Sequence, residues 1–459
     1  MSHIIDHAYY RDSWGTPEMR AVFSEEARFQ RWMEFWAVLA EAQAEAGLIP
    51  AEAAAEIRTK ARQELLDPAV IRTELARAGH TLIPVLRAYE RICANGAGEW
   101  LHYGATTQDV QDTALSLEMR DAWRLLFASL KRLEDACLAQ AAAHRDLVIV
   151  GRTHNQHAMP MTLGMKCATW AAEVRRNLER MKALPPRAFF VMLHGAVGTA
   201  SGLGPDPRAL MDRMAERLGL HTPPVCWASS RDGVAEFIAL TGLCAGTVGR
   251  IANEIFQLSR TELAELNEPA PDTVVGSTTM PHKRNAVRSE FSGAMAKVVM
   301  NNVTLGLQSM IVAHERDASV WRLDWHTVPE SAIMLDRAIN HMANVVGAMT
   351  VDRAKIAANL DLTDGAIMSE AVMFRIGQKV GKQTAHGILH DLVNHAAATG
   401  QSFRAALQSS EDLRAHLDAA EIEGLLDYRQ YLGTAGQQVD DTIALSRAQA
   451  ETDPVADPA

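Results

Sequence analysis

From Met119 the large apolar residues Trp123, Leu126, Leu130, Leu133 and Cys137 return at alternating steps of four and three positions, and only a long α-helix puts such a set on one face. The stripe predicts one helix from about Asp112 to His144. Two more stripes repeat the spacing, one through Leu163, Cys167, Trp170, Val174, Leu178 and Met181, the other through Cys244, Val248, Ile251, Ile255 and Leu258. Helices of this kind are stabilised by burying their seams against one another, so three of them predict a helical bundle. Alternating apolar and polar runs are scarce, and the helical windows are rich in Ala rather than in Val, Ile and Thr. The expected fold class is all-α, with a central long-helix bundle.

Turn residues gather at Asn95-Gly96-Ala97-Gly98, at Pro185-Pro186, and over 195–207, 269–276 and 361–365. They divide the chain into an N-terminal helical region (1–106), a central bundle (107–352) and a C-terminal helical region (353–459). The last ten residues, AETDPVADPA, read as a disordered acidic tail. A net charge of -11 is the opposite of what a phosphate backbone attracts, so nucleic acid is not an expected partner. No apolar run approaches the roughly 18 residues of a membrane span, and MSHIIDHAYYRDSWGT lacks the basic-then-apolar layout of a signal peptide. A cytoplasmic protein is expected. The five cysteines are dispersed, without a CxxC pair, so neither a disulfide framework nor a zinc site is indicated.

One stretch departs from helical patterning. Residues 276–285, GSTTMPHKRN, place small hydroxylated residues beside a glycine, and Thr279-Met280-Pro281 reads as a helix entry with proline in the first turn. A helix N-terminus there, with Lys283 and Asn285, would make an anion site, most simply for a carboxylate. The plain alternative is a surface loop that caps a helix. Elsewhere the pattern is bland. His102, His144 and His314 read as satisfied polar residues. His154 and His157 lack a third ligand at a recognisable spacing, so no metal is expected. The run from Gly377 to Gln383 mimics a phosphate loop but is one residue short, lacks the hydroxyl after Lys382 and lies in a helical context.

GSTTMPHKRN closely resembles the signature loop of the fumarase/aspartase superfamily. His80 in GHTLIPVLRA, the Thr106-Thr107-Gln108-Asp109 stretch in LHYGATTQDVQDTA, and GRTHNQ from Gly151 to Gln156 resemble its other active-site stretches in the same order. RTELAELNEP, HERDASVWRLDWHTVPE and TPEMRAVFSEEARFQRW extend the likeness over most of the chain, toward the branch of adenylosuccinate lyases and 3-carboxymuconate cycloisomerases. The resemblance implies β-elimination from a small dicarboxylate without a cofactor, in a homotetramer whose sites combine segments of three chains. It implies Ser277 as general base and His154 as general acid. Thr106, Thr107, Gln156, Lys283 and Asn285 would hold carboxylates, His80 would orient His154 or bind the leaving group, and Arg316 and Trp325 would complete the substrate pocket. The chemistry suits these residue types, because a proton alpha to a carboxylate leaves only if donors and cations already surround the dianion that forms.

Two departures bear on the branch. Trp325 stands where adenylosuccinate lyases have a phosphate-binding Arg, and an indole cannot neutralise a phosphate. Yet His154 and His80 are present where cycloisomerases commonly lack them. The expected reaction is therefore C–N cleavage of a small N-substituted aspartate, releasing fumarate and an amine. The alternatives are a muconate-type cycloisomerase and, further off, an adenylosuccinate lyase or a non-catalytic structural protein such as the crystallins of this superfamily. Ala286, where the signature normally has Pro, touches no catalytic atom.

Overall fold

The computed structural model describes residues 3–270 and 277–454. Its frame is a bundle of long helices: α1 (Glu25–Glu45), α2 (Thr107–Ala143), α3 (Leu163–Ala183), α4 (Asp232–Leu258), α5 (Val287–Gln308) and α6 (Asp324–Ala348). Every residue of the three sequence stripes is buried; α2 packs against α3 and α6, and α4 against the same two helices. By length and composition α4 could cross a membrane. Most of its residues are instead buried, packed against α5, α6 and α3.

Side-chain ties set the directions. Asn340 on α6 donates to Ser129 on α2 at 3.2 Å, and Gln140 near the end of α2 donates to the carbonyl of Val346 at 2.9 Å. The two helices therefore run parallel. Ser292 bonds the Ala338 carbonyl at 3.4 Å, while Asn302 reaches back to Glu330 at 2.7 Å, so α5 runs antiparallel to both. Its first turn lies level with the C-terminal half of α2.

Helix α2 begins five residues before the apolar stripe predicts. Asp109 accepts the backbone N–H of Thr106 at 2.9 Å, which stops the helix with a polar first turn that hydrophobic spacing does not register. Two short antiparallel pairs interrupt the all-α plan among the described residues. β1 (Val148–Thr153) pairs with β2 (Gln156–Thr162) directly after α2, and β3 (Leu266–Asn267) pairs with β4 (Thr350–Val351). The hairpin turns on His154 and Asn155, both with positive φ (51° and 60°), the two-residue turn whose twist matches paired strands. At Gly151 a Cβ would meet the Met159 carbonyl at 2.8 Å, where the register shifts.

Beyond α6 the chain forms a smaller helical region that includes α7 (Ser369–Val380), α8 (Lys382–Thr399) and α9 (Ala435–Ala450). α9 returns to pack on α3. Part of the stretch expected to be a disordered tail is held in place. Arg175, itself buried and paired with Glu134, also holds Asp453 at 2.8 Å, and residues 455–459 lie outside the described residues.

Two half-buried histidines tie this fold to pH. His102 accepts the Trp36 indole N–H at 3.0 Å, and burial pushes it down to about 4; burial does the same to His341. Both are neutral in the fold, whereas the unfolded chain takes up a proton near 6.5. Their contribution is therefore complete above pH 6.5 and is lost as pH falls toward 4, with a slope of at most ~1.4 kcal/mol per pH unit for each ring. Urea denaturation between pH 7 and pH 5 should show His102→Gln, which keeps an acceptor for Trp36, losing stability less steeply than the wild type. Parallel pH dependences would show that His102 is not the group responsible.

Candidate active site

The sequence-predicted residues gather at two places. The first is the N-terminal end of α2. Arg316 donates to the Thr106 hydroxyl at 3.2 Å, to Gln108 Oε1 at 2.9 Å and to the Gly195 carbonyl at 3.3 Å. His80 Nδ1 accepts the N–H groups of Leu82 and Ile83 at 3.2 and 3.3 Å, so in the neutral ring the proton sits on Nε2. That nitrogen lies 3.5 Å from the Thr107 hydroxyl. Gln111 bonds Thr81 at 3.0 Å and holds the His80 segment against α2. A guanidinium, two threonine hydroxyls and an imidazole N–H thus converge at a helix N-terminus, a set that can hold a carboxylate.

Asp109 fastens this end from inside. Its carboxylate accepts the N–H groups of Thr106, His194 and Gly195, all near 3 Å, and burial raises it to about 6. Gly104, at a φ of 76°, lies so close to the Gly202 carbonyl that a Cβ would come within 2.5 Å of it. The 195–203 loop is thereby pressed against the threonines.

Beside His80 opens a cavity of about 560 Å3, bounded by Phe29 and Trp32 of α1, Ile71, Thr81 and Trp325. Trp325 forms its wall. Arg28, doubly bonded to Glu118 at 2.8 and 3.0 Å, lies 5.2 Å from the Trp325 ring centre. Trp321 does not reach the cavity and instead packs edge-on against Trp325, with ring centres 6.0 Å apart.

The second place is the far end of the bundle. His154 and Gln156 stand exposed at the hairpin tip. The hairpin is pinned by Arg152, which makes two bonds to Glu265, at 3.1 and 2.5 Å. The signature loop leads into α5 at the same level. Its first residue, Gly276, lies outside the described residues. Ser277 Oγ accepts the backbone N–H groups of Thr279 and Met280 at 3.4 and 3.1 Å, an arrangement that favours negative charge on that oxygen.

Here the structure corrects an expectation. No helix begins at Thr279-Met280-Pro281, and α5 starts at Val287. Two of its N-terminal N–H groups are already occupied, because Glu268 accepts from Arg288 at 3.1 Å and from Ser289 at 2.6 Å. Lys283 and Asn285 are exposed on the loop, and the helix terminus offers them no free anion site. His144 also departs from its reading as a satisfied ring, since its Nδ1 is buried without a partner. No group of three or more metal-ligating side chains occurs among the described residues.

The two places do not meet within one chain. α2 has 37 residues and is ~55 Å long, with Thr106 before its first turn and His154 beyond its last. The stretch 144–154 spans at most ~40 Å even fully extended and doubled straight back, which leaves a gap of at least ~15 Å. The hairpin in fact packs on the C-terminal segments 353–361 and 366–368. Spacing in the sequence did not reveal Gln108, Asp112 and Arg231 as supports of Arg316. The available signal was the polar cluster Gln108, Asp109, Gln111, Asp112 heading an otherwise apolar helix.

Comparison with known proteins places the chain in a family. The model of a family described as lyase matches residues 11–301, and one described as adenylosuccinate lyase C-terminus matches 365–442. An N-acetyl-S-(2-succino)cysteine lyase of Dickeya dadantii is 38% identical, covering 96% of this chain and 97% of its own. A 3-carboxy-cis,cis-muconate cycloisomerase of Pseudomonas aeruginosa is 36% identical over 93% and 94%. The crystal structure of the 3-carboxy-cis,cis-muconate lactonizing enzyme of Pseudomonas putida superposes with a TM-score of 0.91 at 34% identity, covering 97% of this chain and all of the other. With a family match over more than half its length and relatives that span nearly all of it, this chain belongs to the lyases of the fumarase/aspartase superfamily.

Proposed function

We propose that this protein expels a small heteroatom-linked group from a succinyl unit and releases fumarate, with Ser277 as base and His154 as acid. The observation that carries the reading is Ser277 Oγ, which accepts two backbone N–H groups within its own loop. A serine hydroxyl is a poor base until its conjugate alkoxide is stabilised, and two oriented N–H donors supply that stabilisation. Thr106, Thr107 and Arg316 would hold one substrate carboxylate. Lys283, Asn285 and Gln156 would approach the other from neighbouring chains.

The distance between the two ends of the bundle supports assembly. We read the working enzyme as a cytoplasmic homotetramer in which the α2 N-terminus, the hairpin tip and the signature loop of three chains form each site. The leaving atom is nitrogen, in an N-substituted aspartate, or sulfur, in a succinylated thiol. The likeness to a protein named N-acetyl-S-(2-succino)cysteine lyase favours sulfur. Trp325 in the cavity wall, where a cation would be needed, disfavours a nucleotide phosphate. A second reading, muconate-type lactone formation, is favoured by the cycloisomerase relatives and uses the same carboxylate pocket.

Three outcomes are expected. Purified enzyme should release fumarate, followed by ultraviolet absorbance, from small N- or S-succinyl adducts and process adenylosuccinate poorly. Efficient adenylosuccinate cleavage would refute the Trp325 argument, and carboxymuconate lactonisation without fumarate from any adduct would move the assignment to the second reading. Ser277→Ala should lower kcat by about a thousandfold or more with KM changed only a few fold, because a base acts in the transition state; a loss of only a few fold would put the base elsewhere. Finally, inactive His154→Ala and Arg316→Ala proteins, unfolded together and refolded, should regain activity through sites drawn from different chains, on the order of a quarter of wild type. No recovery, with a wild-type control that refolds, would contradict shared sites.

A further inference from the structure

Arg316 owes its position to a buried polar relay whose polarity is fixed at every link. Arg231, 1% exposed, donates to Asp112 Oδ2 at 2.7 Å and to Asp324 Oδ2 at 2.6 Å. Gln108 Nε2 donates to the same Asp112 oxygen at 2.9 Å and to the Ala228 carbonyl at 3.1 Å. Two acceptors on that side force the amide nitrogen toward them. The amide oxygen must then face outward, where it accepts Arg316 Nε. A Gln108 rotated by half a turn would set an N–H against the guanidinium N–H and turn its oxygen toward the Asp112 carboxylate and the Ala228 carbonyl, where no donor meets it.

We propose that Asp112, held by Arg231, is a positioning residue that orients the Gln108 amide and, through it, aims Arg316 at the substrate carboxylate. The inference rests on Arg316 as a carboxylate ligand in the proposed function. Asp112 and Gln108 act through Arg316 and do not touch the reacting atoms. An asparagine at 112, whose oxygen Arg231 keeps turned inward, offers Gln108 a neutral acceptor in place of a charged one, so the hold on the amide weakens while volume and packing are kept.

The test uses succinate, an unreactive dicarboxylate, measured by calorimetry on the assembled protein and as a competitive inhibitor of adduct cleavage. Asp112→Asn should weaken succinate about tenfold and raise KM more than it lowers kcat, and Gln108→Met should do the same, as expected for one charge-assisted hydrogen bond. The double variant should be no weaker than either single one, because both changes break one chain. Unchanged succinate affinity in either single variant, additive losses in the double, or no succinate binding to the wild type would each overturn the relay, whatever happens to melting temperature. Succinate binding that weakens as stated in a protein that releases no fumarate would keep the relay and reject the reaction.

Discussion

The Arg231 guanidinium, sealed between Asp112 and Asp324, is the interaction on which the end of the bundle at the α2 N-terminus depends. It joins the starts of α2, α4 and α6, three helices far apart in sequence, at one buried point. Burying three charges is costly, and such clusters often contribute little net stability compared with apolar packing. What this one supplies is direction. Apolar seams can slide by a turn with modest loss, but a guanidinium with a carboxylate on each side cannot, so the α2 N-terminus sits at one height beside Arg316. The Trp227 ring, 5.1 Å from the Arg231 guanidinium, covers one face of the cation.

The same long helices that make the bundle stable also separate the chemistry. The groups proposed to hold a carboxylate sit at the start of α2, and the proposed acid and base sit beyond its end. Glu268 matters here, because by capping α5 it clamps the base of the signature loop while the loop itself stays at the surface. Ser277, the proposed base, thus lies outside the helix, between two points that Glu268 holds together.

Much of this was legible in the sequence. The three stripes identified the buried faces of α2, α3 and α4, and the residue strings around His80, Thr106, His154 and Ser277 identified the family. Three features were not. The hairpin was hidden because His154 at a positive-φ turn position is an unusual choice and the flanking Val148-Ile149-Val150 run is short. The helix entry at Pro281 was misread because proline in a Ser-Thr-rich loop signals a first turn whether or not a helix follows, and the true cap, Glu268, lies about twenty residues upstream in sequence. The relay through Arg231 was invisible, since nothing local marks an arginine as buried when its two carboxylates are on other helices.

The central claim is a reversible β-elimination in which one carbon-bound proton moves through an enzyme base, and the reverse reaction in deuterium oxide tests it directly. Fumarate and a small thiol or amine, incubated with the enzyme, should give a succinyl adduct with one deuterium at a single diastereotopic position of the methylene carbon, as nuclear magnetic resonance would report. Spontaneous addition places deuterium at both positions. Adduct carrying deuterium equally at both, or no adduct beyond the uncatalysed background, would contradict the claim.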